Sequence, residues 1–129
     1  MNAKPLIFAA VLALGGCKPP EAANIAPLDV DFSWVGTARC TSVPPEFKIG
    51  RVPPATRTLD FTFRAGGAGG SMQGGGTVAY TGSPVVPAGS FHYLGPCPLG
   101  TQNYQFTVQA LDASGTVIGR GAASHPFPP

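Results

Sequence analysis

The stretch that most constrains this chain is Gly95 to Asp112, GPCPLGTQNYQFTVQALD. Within it, Tyr104, Phe106, Val108 and Ala110 alternate with Gln105, Thr107 and Gln109. Apolar and polar residues at period two mark a strand with one face on a core and one toward solvent. The turn that precedes it is rich in Gly and Pro and carries Cys97, a possible covalent tie. A second clean alternation is RTLDFTFR, Arg57 to Arg64, with Leu59, Phe61 and Phe63 on the inner face. Eighteen Gly and fifteen Pro in 129 residues favour strands and turns over helices.

The N-terminus carries one cation, Lys4, then the apolar run Leu6 to Leu14, then Gly15-Gly16-Cys17. That order reads as a secretory signal, and its apolar run is too short to span a bilayer. Leu14-Gly15-Gly16-Cys17 also resembles the bacterial lipobox, in which the Cys is lipidated and becomes the new N-terminus. The expected organisation is therefore a lipoprotein signal peptide over 1–16, a tether over 17–28 and a β-sandwich domain over 29–129. Lys18 to Pro27 (KPPEAANIAP) has little to bury, as a spacer requires. Lys18 directly after Cys17 is not an acidic retention signal, which by analogy favours the periplasmic face of the outer membrane.

Three cysteines are present. With Cys17 lipidated, Cys40 and Cys97 remain, and an even remainder in an exported chain suggests a disulfide. Two buried free thiols are the alternative. Charged residues make up 11% of the chain and no basic patch is visible, which argues against nucleic acid as a partner. Neither His92 nor His125 has a ligand-spaced neighbour, so neither metal nor cofactor is expected.

Further strands are expected over Asp29–Gly36, Thr77–Tyr80, Ser90–Leu94 and Thr116–Ile118, for roughly six or seven short strands in all. Trp34 is expected in the core. Cys40–Pro54 reads as irregular because Pro44-Pro45 and Pro53-Pro54 remove backbone donors. Ala65–Gly76 (AGGAGGSMQGGG) reads as a mobile loop, since so much glycine is costly to order. It lacks a phosphate-loop lysine and a following helix. Asp112-Ala113-Ser114-Gly115 reads as a hairpin loop. RGAASHPFPP reads as a tail, with His125 facing solvent. The scattered arginines fit a solvated surface. Ser90 near His92 and Ser124 beside His125 do not amount to a triad, and no nucleophile elbow is present. The chain is not expected to be an enzyme.

GPCPLGTQNYQFTVQALD resembles the G-P-C-P-P-x-G-x-H-R-Y-x-F-x-V-x-A-L-D segment of the phosphatidylethanolamine-binding / Raf kinase inhibitor protein-like family, in its bacterial branch. VPPEFKIGRVPPATRTL resembles that family's S-P-P-L-x-W-x-G-V-P-x-G-T-K-S-L. GGGTVAY and the Pro-rich ending resemble its short exported members. The resemblance spans about Cys40 to Phe127. It implies an all-β, antiparallel sandwich of that type in compact form, with a small anion pocket for phosphate-ester head groups at one end.

Carried over position by position, the pocket is degenerate. The acidic loop of the family falls on Ala65-Gly66-Gly67-Ala68-Gly69, and its following His falls on Gln73. The His and Arg of G-x-H-R-Y fall on Gln102 and Asn103. Gly95, Pro96, Cys97 and Tyr104 match. Glutamine cannot supply the charge that a protonated His offers to a phosphate. The resemblance thus implies non-catalytic, weak binding of a phospholipid head group or small polar ligand by Gln73, Gly95, Pro96, Gln102 and Tyr104. The alternative is an envelope structural, interaction or protein-inhibitor lipoprotein with a protein partner and no small ligand.

Overall fold

A computed structural model describes residues 18–66 and 70–129. The signal peptide and the lipid-bearing Cys17 of the expected organisation lie outside the described residues. So does part of the glycine-rich segment, residues 67–69. Among the described residues there is no helix. The described residues form eight strands in two sheets: β1 (Glu21–Pro27), β2 (Asp29–Phe32), β3 (Phe47–Gly50), β4 (Thr58–Ala65), β5 (Ser71–Ala79), β6 (Val85–Val86), β7 (Gln102–Leu111) and β8 (Val117–Phe127). The larger sheet has the order β1-β8-β7-β4-β5, and the smaller β2-β3-β6. All pairings are antiparallel except β1 on β8.

The two alternating segments are neighbours. β4 pairs with β7 over eight consecutive positions, from Thr58 opposite Leu111 to Ala65 opposite Tyr104. Their inward residues are buried at every second position. Across from them the small sheet contributes Phe32, Phe47, Ile49 and Val86. Phe106 is the hub: its ring lies 4.7 Å from those of Phe47 and Phe63 and 5.0 Å from that of Phe32. Burying a ring of this size stabilises the fold by about 2–3 kcal/mol. Trp34 is buried as expected, and its Nε1 donates to the His125 carbonyl at 3.2 Å.

Several expectations are corrected. Glu21–Pro27, read as tether, is an edge strand; none of its residues is fully buried and its half-buried positions are irregularly spaced, because only one neighbour, β8, holds it. Cys40–Pro54 is not wholly irregular: β3 fits between its two proline pairs and hydrogen-bonds to β2. The first expected strand ends at Phe32, and a turn follows at Val35-Gly36. Ser90–Leu94 makes one isolated bridge, Tyr93 to Gly74, rather than a strand.

The return strand runs on to Phe127, so the expected tail is β8. His125 lies opposite Tyr104 in it, exposed, with its ring 4.8 Å from that of Phe32. The glycine-rich segment from Ser71 onward is strand, not loop. β5 carries one extra residue where Thr62 pairs with Gly75 and Arg64 with Met72, a β-bulge at Gln73-Gly74. Glycine is needed there: Gly75 has φ 153°, and a Cβ on it would lie 1.9 Å from the Phe61 carbonyl oxygen.

Candidate functional site

The expected site residues lie at the end of the larger sheet where β7 begins. Here Arg39–Ser42 and Tyr93–Pro98 are stitched together into a clamp. The Tyr93 amide donates to the Ser42 carbonyl at 3.3 Å, and the Gly95 amide to Thr41 at 3.1 Å. The Cys40 amide donates to Pro96 at 2.9 Å, and the Arg39 guanidinium to the Pro98 carbonyl. Cys40 and Cys97 form a disulfide with Cα atoms 4.7 Å apart, closing a sequence separation of 57 residues. A bridge over such a span stabilises through the unfolded chain by about 4 kcal/mol.

Gly95 has a structural reason to be there. A Cβ at this position would lie 2.1 Å from the Thr41 carbonyl oxygen, so no larger residue allows the two segments to touch. Pro96 is buried beneath the turn. Gln73 sits in the β5 bulge, half-buried, and its carbonyl accepts from the Leu94 amide at 3.1 Å. Tyr104 is buried, stacked on Phe63 at 5.4 Å and edge-on to Trp34. Burial pushes its phenol above the usual tyrosine range, while a backbone hydrogen bond from Cys97 and the charge of Arg39 pull the other way. Gln102 stands apart at the exposed first position of β7, opposite Phe127.

The structure therefore draws Gln73, Gly95, Pro96 and Tyr104 to one end, with Gln102 at its rim. Two further groups join them, Arg39 and Tyr93. Arg39 is an exposed cation close enough to Tyr104 to perturb it. Its one sequence signal is adjacency to a bridging cysteine. Tyr93 packs against Phe63 at 4.8 Å, and its hydroxyl is buried with no hydrogen-bond partner. Burial raises that phenol far above its ordinary value.

Beside the clamp lies an open cleft of about 600 Å³, lined in part by Asp31, Val35, Thr41, Val43, Glu46 and Lys48. Thr41 belongs to both. None of the five expected site residues lines this cleft. Large apolar side chains stand exposed around the same end: Val35, Leu94 and Leu99. The serines next to histidine are engaged elsewhere, Ser90 Oγ with the Pro87 carbonyl and Ser124 Oγ with Gln105 Oε1. Among the described residues no group of three or more His, Cys, Asp or Glu is placed to hold a metal ion. No known protein family and no curated protein matches this chain.

Proposed function

We propose that this chain is a lipid-anchored, non-catalytic binding domain of the bacterial cell envelope, a compact sandwich of the phosphatidylethanolamine-binding type with altered pocket chemistry. The export signal, the lipobox ending at Cys17 and the paired cysteines all suit that compartment. The observation that carries the reading is the disulfide clamp, which gathers Gln73, Gly95, Pro96 and Tyr104 at one end and sets Arg39 beside Tyr104. Arg39 supplies, from a different segment, the positive charge that Gln73 and Gln102 lack. A guanidinium beside a phenol suits a small phosphate ester or other polar anion. Most of the other groups are neutral, so binding is weak. Calorimetric titration of the intact protein with phosphoethanolamine should give saturable binding in the millimolar range, reduced several-fold by Arg39→Gln. No saturable heat at such concentrations removes this reading.

A second reading has its own support. Tyr104 is buried, and Gly95 is accounted for by its contact with Thr41, so both serve packing without any ligand. Exposed Leu94 and Leu99 flank the clamp instead. On this reading the protein is an envelope interaction or inhibitor module with a protein partner. Crosslinking in intact cells would then recover one dominant protein, whereas a random set of neighbours counts against it.

A further inference from the structure

We infer that the Asp112–Thr116 end of the sandwich is its membrane-facing surface, and that the disulfide clamp faces the aqueous compartment. The inference rests on the lipid at Cys17 proposed above. Lys18, Pro19 and Pro20 are all that separate Cys17 from β1. Pro20 is already fixed to the sheet, because the Val117 amide donates to its carbonyl at 2.8 Å. Glu21 then pairs opposite Val117. From Cys17 to Pro20 the chain reaches about 11 Å at full extension. The first residues of β1 are therefore held close to the lipid.

β1 runs parallel to β8, so its start lies beside the hairpin and not beside the clamp. β7 links the two ends, from Leu111 at the hairpin to Gln102 at the clamp. At about 3.4 Å per residue that strand is about 30 Å long. The reach of the leader is about a third of this, too short to turn the molecule over and set the clamp on the bilayer.

The charges at the hairpin end agree. The Asp112 carboxylate is occupied within the turn, with one oxygen accepting from the Ser114 and Thr116 amides at 2.9 and 3.0 Å. Glu21 is paired with Arg120. Arg57, whose amide donates to the Leu111 carbonyl, is exposed at the same end, as is Lys18. Among the described residues, this surface offers two cations outside any ion pair, Lys18 and Arg57, to an anionic lipid face, against the one carboxylate of Asp112 held within its turn. Head groups of the anchoring bilayer are then out of reach of the clamp, and its ligand arrives from the aqueous side.

The test uses the full-length protein carrying a photoreactive residue, Ser114→p-benzoylphenylalanine or Leu99→p-benzoylphenylalanine, extracted from membranes and reconstituted in phosphatidylethanolamine–phosphatidylglycerol vesicles. Both positions are exposed. The mass of each sample reports the lipid on Cys17. Irradiation should attach lipid to the Ser114 variant and none to the Leu99 variant, and Ala113→p-benzoylphenylalanine should repeat the Ser114 result. With Cys17 lipidated, labelling at Leu99, or no labelling at either end, overturns the orientation and leaves the anchor standing. Absence of lipid on Cys17 overturns the anchor and the orientation with it.

Discussion

At one end of the larger sheet, β7 turns into β8 through Asp112–Thr116, and the turn closes on its own hydrogen bonds, the Asp112 amide to Thr116 at 2.9 Å and the Gly115 amide to Asp112 at 3.0 Å. At the other end, Arg39–Ser42 meets Tyr93–Pro98 although the two are far apart in the chain, joined by the Cys40–Cys97 bridge across a sequence separation of 57. The hairpin is local and redundant: several residues share the work, and any one can be weakened. The clamp is long-range and depends on single positions, a glycine that lets two backbones touch and one covalent bond. Local structure forms cheaply, whereas distant segments need a strong constraint to repay the entropy of closing the loop.

The contrast predicts a graded series of effects. The largest falls on the glycine beside the bulge that leads into the clamp. Gly75→Ala places a methyl group against the Phe61 carbonyl and should cost about 4 kcal/mol or more, enough to abolish the cooperative transition in urea. Next comes the bridge: the double variant Cys40→Ala/Cys97→Ala should lose about 4 kcal/mol by the same measurement. A loss near zero would show that the clamp is held by packing alone.

At the hairpin, Asp112→Ala should cost about 1 kcal/mol, since the side chain ties two amides but the main-chain turn survives without it. The smallest effect has the opposite sign. Tyr93→Phe removes a buried hydroxyl that has no partner and should stabilise by a few tenths of a kcal/mol, up to about 1.

Tyr93 also gives the two ends a different pH response. Its folded-state pKa is raised above the ordinary value of 10.0, because burial disfavours the phenolate. The stability tied to the neutral phenol is complete below pH 10.0 and drains away as pH rises beyond it. Melting temperature should therefore fall above that pH, and Tyr93→Phe should flatten the fall. An unchanged slope would place the alkaline sensitivity on other groups.

How much of this was legible beforehand follows the same division. β4 and β7 show in the sequence because each buries alternate residues between two neighbours, and burial on one face imposes period two. Trp34 and the Asp112–Gly115 turn were legible for similarly local reasons. β1 was not, because a parallel edge strand is held by backbone bonds to β8 and little in Glu21–Pro27 alternates. The β5 bulge was hidden because glycines carry no side-chain pattern, so a strand made of them reads as a loop. His125 read as tail because Pro126 follows it, yet β8 tolerates that proline near its end. At the site, Gly95, Pro96 and Tyr104 were picked out by motif, and the fold brings Gln73 to the same end. Arg39 was missed because the expected bridge fixes the backbone at Cys40, whereas the guanidinium is placed by its hydrogen bond to the Pro98 carbonyl, which no local pattern encodes.

As proposed, the domain is exported, anchored by lipid at Cys17 and closed by the long-range Cys40–Cys97 disulfide. Intact mass of the protein extracted from cell membranes, recorded before and after reduction and alkylation, tests that proposal most directly. The expected chain begins at Cys17, carries lipid there, and takes up alkylating agent at Cys40 and Cys97 only after reduction. A chain that retains residues 1–16 and alkylates at all its cysteines without reduction would contradict it.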